Sequence, residues 1–261
     1  AYRVALDWLD ASLPVVAIAD ARSNPRGALV EEARAKGIRI LTGSAVIEAR
    51  GSKRVTGGRV AAIDLKAHRV TSPGEMLDCD LIATSGGYSP VVHLASHLGA
   101  RPIWREDILG FVPGEAPQKR VCVGGINGVY SLGDTLADGF EGGARAASEA
   151  GFKAVEGGLP KALKHYEEPT LALFQVPHEK GTARAPKQFV DLQNDVTAAA
   201  IELATREGFE SVEHVKRYTA LGFGTDQGKL GNVNGLAIAA RSLNVSITQM
   251  GTTMFRPNYT P

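Results

Sequence analysis

The first 42 residues alternate between helical and buried-strand patterns, and this alternation constrains the fold more than any other feature of the sequence. Residues 2–9 show the apolar spacing of a helix, and residues 15–20 form a continuous apolar run that ends in an acid. Such runs are typical of strands buried in a parallel sheet. A second helix is predicted at 25–36 and a second strand at 38–41. The α-β-α-β order predicts part of a doubly wound α/β sheet.

Beyond residue 45 the pattern changes to short strands, which predicts an antiparallel insertion in the parallel fold. The strands of the insertion are expected at 45–49, 59–65 and 69–71. Later apolar runs predict three more strands, at 80–84, 120–123 and 128–132. Helices are expected at 91–98, 142–155 and 161–167, then an irregular connector at 171–187, then amphipathic helices at 196–206, 212–221 and 234–243.

Composition excludes several classes of function. Lysine and arginine total 29 against 28 for aspartate and glutamate, so the chain lacks the basic excess that favours nucleic-acid binding. No apolar run approaches the roughly 18 residues that a membrane span needs. The two cysteines, Cys79 and Cys122, are expected to be buried free thiols in a reducing cytoplasm. The six histidines show no metal-ligand spacing, so no metal site is predicted.

Asp20 is the first candidate for a binding role. It ends the predicted strand at 15–20, where the acid of a dinucleotide fold can accept hydrogen bonds from ribose hydroxyls. An ordinary polar residue at a strand end is an equally good interpretation. The glycine loop that should precede the first helix would lie before residue 1, so half of the signature falls outside the sequence.

A second candidate site follows the predicted strand at 128–132, which delivers Gly133 and Asp134 ahead of a Gly- and Ala-rich helix. Glycine permits close approach of a backbone, aspartate accepts from hydroxyls, and a helix N-terminus favours phosphate. Gly142 near the start of that helix is included in the predicted site. This stretch resembles the second flavin fingerprint of two-dinucleotide flavoproteins, and the alternative is a simple turn.

The segment 80–90, DLIATSGGYSP, resembles the strand and loop by which the same class of protein returns from an inserted NAD-type domain. Gly86 and Gly87 would permit a cofactor to come close, although such a loop also simply makes a turn. Together with Gly133 and Asp134 it supports a dinucleotide site. No complete active site is visible, so the catalytic residues remain unknown.

Three segments in the C-terminal third carry a more specific resemblance. They are VKRYT at 215–219, DQGK at 226–229 and RPNYTP at 256–261. The chain resembles a middle portion of the alpha subunits of heterotetrameric sarcosine oxidases, before their folate-binding domain. The resemblance implies a glutathione-reductase-like dinucleotide fold followed by a small helical domain.

In related amine and opine oxidases this small domain holds a 2Fe–2S cluster. Its four cysteines would fall on Asp191, Gln193, Asp226 and Gly231 of this sequence. Thiolates hold such clusters, and these positions carry none. The resemblance therefore implies a helical domain that keeps its fold and has lost its cluster.

The family implies an activity that these residues alone do not show. Its members oxidise sarcosine to glycine, transfer the one-carbon unit to tetrahydrofolate and produce hydrogen peroxide. The alpha subunit would carry NAD, the beta subunit FAD, and FMN would lie between them. The implied partners are beta, gamma and delta subunits, with tetrahydrofolate bound by a further C-terminal domain.

The expected organisation has five parts, in a chain that we expect to be an internal piece of a longer subunit. They are an inserted NAD-type domain at 1–75, a returning dinucleotide-domain segment at 76–160, a connector at 161–186, the cluster-less helical domain at 187–255 and a linker at 256–261. Two other functions remain open. The chain could belong to a pyridine-nucleotide reductase that uses FAD and NAD, or to a non-catalytic scaffold subunit.

Overall fold

The computed structural model describes residues 1–97, 99–153, 157–159, 161–162, 169–252 and 255–258. The chain divides into two units: Ala1–Gly87 with Glu168–Gln188, and Tyr88–Glu167 with Phe189–Pro261. This division differs from the predicted domain limits, because the connector groups with the first unit and the helical region groups with the segment that begins at residue 88.

The first unit opens with the predicted alternation. Helix α1 (Tyr2–Asp10), strand β1 (Ile18–Asp20), helix α2 (Ala28–Ala35) and strand β2 (Ile40–Thr42) follow one another. The two strands are parallel, with Ile18 opposite Ile40 and Asp20 opposite Thr42. Apolar faces of both helices close a core around Leu6, Val30 and Ala33. The sequence prediction for this segment is confirmed.

The antiparallel insertion is also confirmed: its first two strands are longer than predicted, its third is shorter, and a fourth strand was not predicted. It comprises β3 (Ser44–Gly51), β4 (Val55–Asp64), β5 (Arg69–Val70) and β6 (Glu75–Asp78). Strand β4 pairs with β3 along one edge and with both β5 and β6 along the other. The connector also belongs to this unit. Its Glu179 contacts the guanidinium of Arg59 in β4 at 2.6 Å.

The second unit begins with short elements: α3 (His93–Ser96), then the antiparallel pair β7 (Ile103–Arg105) and β8 (Gly110–Val112), and a 3-10 turn at Gly124–Asn127. Helix α4 (Leu132–Glu149) follows. The later part comprises the antiparallel pair β9 (Phe189–Asp191) and β10 (Val196–Thr197), then α5 (Ala198–Arg206), α6 (Val212–Thr219), α7 (Asn232–Ser242) and α8 (Ile247–Met250).

Helices α5 to α8 surround one apolar core. Ile201, Val215, Leu221 and Ile238 are all almost fully buried in it. Thr197 caps α5 by accepting a hydrogen bond from the Ala200 amide, as the sequence predicts. The three amphipathic helices predicted for this region are therefore confirmed.

Three predicted strands are wrong: 80–84, 120–123 and 128–132 are not strands among the described residues. A strand needs a neighbouring strand to hydrogen-bond, and none of the described strands pairs with these segments. The helix predicted at 142–155 begins ten residues earlier. The helix predicted at 161–167 lies largely outside the described residues. Cys79 and Cys122 are half-buried rather than buried.

Candidate functional site

Asp20 ends β1 as predicted, but its carboxylate already has protein partners. Oδ1 accepts hydrogen bonds from the Arg22 amide at 2.9 Å and from Arg22 Nε at 3.0 Å. Oδ2 accepts from the Tyr2 hydroxyl at 2.8 Å and from a second Arg22 nitrogen at 2.7 Å. A carboxylate offers about four acceptor positions. Four donors therefore saturate Asp20.

The electrostatics of Asp20 follow from the same contacts. Burial alone would raise its pKa, but the hydrogen bonds from Arg22 and Tyr2 outweigh burial and leave the pKa below its usual value. Burial and the hydrogen bond to Asp20 raise the pKa of Tyr2 in turn. Asp20 is therefore a charged acceptor that holds α1 against the end of β1. A ribose hydroxyl would have to displace Tyr2 or Arg22.

Gly86 and Gly87 lie in the first unit, in an exposed segment without regular structure. Gly87 has a φ of +88°, a left-handed conformation that favours glycine. At Gly86 an added Cβ would meet no atom within 4 Å. The loop therefore leaves open space at Gly86, as the predicted close approach of a cofactor requires.

Gly133 and Asp134 lie in the second unit, in the first turn of α4 rather than after a strand. Ser131 is the N-cap, and its hydroxyl accepts from the Asp134 amide at 3.2 Å. The same hydroxyl donates to the Asp134 carboxylate at 2.7 Å. A Ser followed three residues later by an acid is a recognised helix-start signal. The strand predicted at 128–132 does not form, and its last residue instead begins α4 behind the Ser131 cap.

Gly142 is buried within α4, where an added Cβ would lie 2.2 Å from Val123 Cγ1 and 3.3 Å from Val121 Cγ1. Its missing side chain lets the helix pack directly on the extended segment 121–123. Gly142 is thus a close-packing position between two parts of the second unit.

Three of the positions predicted to correspond to cluster cysteines form a connected polar network. Asp191 is buried at the end of β9, and its Oδ1 accepts from the amides of Gln193 at 2.9 Å and Asn194 at 3.1 Å. Its Oδ2 accepts from the Gly222 amide at 2.8 Å. Burial alone would raise the pKa of Asp191, but these hydrogen bonds outweigh it and lower the pKa.

Gln193 and Asp226 continue the network, whereas Gly231 has no hydrogen bond to it among those described. Gln193 Oε1 accepts from the Asp226 amide at 3.2 Å, and its amide nitrogen donates to the Thr225 hydroxyl at 2.9 Å. Asp226 in turn accepts from the Gly228 amide at 3.1 Å. At Gly231 an added Cβ would lie 2.4 Å from the carbonyl oxygen of Val190. Any side chain at 231 therefore meets backbone.

Among the described residues, no three His, Cys, Asp or Glu side chains come together in a way that could hold a metal ion. None of the helices in the described part of the chain has both the length and the apolar character that crossing a membrane requires.

Sequence reasoning missed the partners of the buried acids and one basic cavity. No sequence pattern marks Tyr2, Arg22 or Gly222. They donate hydrogen bonds to Asp20 and Asp191 only in the folded chain. Lys216 and Arg256 line a cavity in the second unit. They lie in segments that the sequence analysis singled out for their resemblance, and their charge was the available signal.

The fold and these sites define a mixed α/β protein of two units. The structure is similar to that of L-proline dehydrogenase from P. horikoshii, with a TM-score of 0.57 and 17% identity over 97% of this chain and 50% of that one. This likeness shows a shared fold.

The particular relatives are sarcosine oxidase alpha subunits. Residues 185–261 match the sarcosine oxidase A3 domain family. The chain is 35% identical to sarcosine oxidase subunit alpha of Corynebacterium sp. (strain P-1) over 100% of its length, and 37% identical to that of strain U-96 over 97%. It is 36% identical to that of Rhizobium meliloti over 100% of its length. The predicted resemblance is confirmed.

The chain spans 25–27% of the length of these relatives. The similarity extends over both units of the structure.

Proposed function

We propose that this chain is part of a dinucleotide-binding oxidase subunit that supports the oxidative demethylation of sarcosine to glycine. The observation that carries the proposal is the similarity to three sarcosine oxidase alpha subunits at 35–37% identity along essentially the whole chain. The match of residues 185–261 to the A3 domain supports it independently of the dinucleotide-fold segment.

The proposed reaction removes two electrons from the N-methyl group of sarcosine at a flavin. The one-carbon unit passes to tetrahydrofolate, and oxygen accepts the electrons to give hydrogen peroxide. In the proposed complex this subunit binds NAD, a beta subunit binds FAD, and FMN lies between the two. Gamma and delta subunits complete the assembly, tetrahydrofolate binds a further domain, and the complex is cytoplasmic.

The proposed dinucleotide contacts differ in how well they suit a cofactor. The first-turn amides of α4 around Gly133 favour a phosphate, because a helix N-terminus carries partial positive charge. Asp134 can accept from a hydroxyl but repels phosphate. Gly86 and Gly87 offer open space, and Gly142 positions α4. Asp20 suits a structural role better, because its acceptor positions are saturated.

We further propose that the helical region is a former 2Fe–2S domain that has kept its fold. The hydrogen-bond network of Asp191, Gln193 and Asp226 supports this proposal, because it links chain segments that a cluster would otherwise tie together. At Gly231 a thiolate side chain would collide with the Val190 carbonyl, so the present backbone leaves no room there for a cluster ligand.

A non-catalytic scaffold is the second candidate. It is favoured by the internal engagement of both candidate acids, Asp20 with Tyr2 and Arg22, and Asp134 with Ser131. A pyridine-nucleotide reductase is less well supported, because it usually needs a redox dithiol or a cluster. Cys79 and Cys122 lie in different units and are both free thiols.

The test is co-expression of the longer subunit that contains this chain with a candidate beta subunit. Sarcosine-dependent hydrogen peroxide formation is expected, with L-proline as the control substrate giving much less. A complex that forms but releases peroxide with neither amine would favour the scaffold. Pyridine-nucleotide-dependent dye reduction without amine oxidation would favour the reductase.

A further inference from the structure

The second unit contains a cavity of about 750 Å³. Its wall is formed by the segment 99–102, by one side of α6, by the turn after α6 and by the start of α7. Its volume lies within the roughly 300–1,000 Å³ of typical small-molecule sites. None of the residues considered above as dinucleotide contacts lines it.

The lining is strongly basic. Arg101, Lys216, Arg217 and Arg256 contribute four positive charges, and Glu213 contributes one carboxylate. The Glu213 carboxylate lies 3.3 Å from the Arg217 guanidinium, so it forms an ion pair with one of these four cations. The formal excess is three positive charges around one concave space, in a chain whose total charge is only +1.

Cations lie close together in this cavity. Burial lowers the pKa of Lys216, Glu213 opposes the change, and the nearby Arg256 and Arg217 lower the pKa further. A bound anion would act against both the burial and the repulsion between these cations. The cavity therefore favours an anionic ligand over a neutral or cationic one.

The rest of the wall is polar and uncharged. Gln227, Asn232 and Thr252 contribute amide and hydroxyl groups that can exchange hydrogen bonds with a ligand. The Asn232 side chain is fixed against Gly222 and Gly228, at each of which an added Cβ would lie within 2.3 Å of the amide. The arrangement supplies fixed polar contacts beside the charges.

We propose that this cavity binds a small organic polyanion that carries at least two phosphate or carboxylate groups. Arginine forks match the paired oxygens of both groups, and lysine adds a point charge. A concave site of limited volume suits a small molecule. The inference stands apart from the proposed sarcosine chemistry, because it uses none of the residues assigned to that function.

The test is isothermal titration of the 261-residue chain at low salt with two probes, inorganic pyrophosphate and citrate. Saturable one-to-one binding of at least one probe is expected, and the stronger probe identifies the preferred group. The double variant Arg101→Gln, Lys216→Gln should weaken binding at least about tenfold, because it removes two of the four cations that line the cavity.

A matched control removes the same charges elsewhere. Arg206 and Lys187 are exposed and do not line the cavity. The double variant Arg206→Gln, Lys187→Gln should bind the probe as tightly as the original chain, and Lys216→Arg should retain most of the affinity. Absence of saturable binding by both probes, or an equal loss in the control, would overturn the proposal.

A measurement on the unsubstituted chain covers the case in which the cavity variant does not fold. Amide chemical shifts should change around residues 99–102 and around Lys216, Arg256 and Asn232 when the bound probe is added. Shift changes confined to other parts of the chain would also overturn the proposal.

Discussion

At the scale of single residues, the buried acids are structural acceptors. Asp20 and Asp191 each end a short strand, and each accepts at least three hydrogen bonds from neighbouring segments. Burying a carboxylate is costly unless donors surround it. In both residues the hydrogen bonds outweigh burial and lower the pKa, so both carboxylates remain charged at neutral pH.

Replacing Asp191 with asparagine should destabilise the chain by about 1–3 kcal/mol, because an amide group cannot accept from all the amides that the carboxylate satisfies. Urea unfolding at neutral pH measures the change. Asp195→Asn is the control, because Asp195 is exposed and has a positive φ that asparagine tolerates. Equal effects of the two substitutions would show that the network contributes nothing.

The same residue predicts a pH dependence. The folded pKa of Asp191 lies below its unfolded value of about 3.9, so its stabilising effect is complete above that pH. The effect is lost as the pH falls through the folded pKa. The stability difference between the original chain and Asp191→Asn should therefore shrink at pH values below about 3.9. A constant difference down to pH 2 would contradict the assignment.

At the scale of elements, the sequence predicts most of what depends on local pattern. The segment from α1 to β2 and the helices α5 to α7 follow from apolar periodicity and capping residues. The runs at 80–84, 120–123 and 128–132 have strand-like composition, but a strand forms only where a partner strand lies beside it. Apolar composition alone does not contain that information.

The candidate site shows the same limit. Sequence places Asp20 correctly at the end of β1, yet its saturation by Arg22 and Tyr2 depends on how α1 packs. Gly133 and Asp134 were predicted after a strand and ahead of a helix beginning at residue 142, whereas they lie in the first turn of α4. Ser131 carried the signal that would have corrected this, because it begins a Ser-x-x-Asp cap.

Two adjacent glycines in α4 provide an element-scale test. Gly142→Ala should destabilise the chain by about 1–3 kcal/mol, because the new methyl group overlaps a stiff valine side chain. Gly143→Ala, exposed and with no atom within 4 Å of the added Cβ, should stabilise it by roughly 0.5–1 kcal/mol. Thermal unfolding compares the two. Similar shifts in Tm for both would contradict the packing.

The cap of α4 is tested separately. Ser131→Ala removes the acceptor of the Asp134 amide and should cost about 1 kcal/mol. Hydrogen exchange at the amides of Asp134 and Thr135 should accelerate, while exchange in the middle of α4 changes little. Ser148→Ala, near the other end of α4, is the control. Unchanged exchange at Asp134 after removal of Ser131 would contradict the cap.

At the scale of the whole molecule, the similarity to sarcosine oxidase alpha subunits covers both units. The candidate dinucleotide contacts are divided between the units, with Asp20, Gly86 and Gly87 in the first and Gly133, Asp134 and Gly142 in the second. The second unit also holds the network of Asp191, Gln193 and Asp226 and the basic cavity.

The acceptor positions of the Asp20 carboxylate are all occupied by protein donors, which leads to a prediction for the whole chain. The purified 261-residue chain on its own should contain no nucleotide or a substoichiometric amount, because ribose could reach Asp20 only by displacing Tyr2 or Arg22. Acid extraction followed by chromatography measures NAD and FAD. A full equivalent of either cofactor would contradict this prediction and strengthen the assignment of Asp20 as a ribose contact.

The central proposal is that the helical region is a former 2Fe–2S domain that keeps its fold through hydrogen bonds among Asp191, Gln193 and Asp226. The most direct test is to measure iron and acid-labile sulfide in the purified, folded chain, with helical content followed by circular dichroism. We predict iron at trace levels, a helical content that agrees with the helices of the structure, and cooperative unfolding that added chelator does not change. Two iron atoms and two sulfides per chain, or loss of helical structure with chelator, would contradict the account.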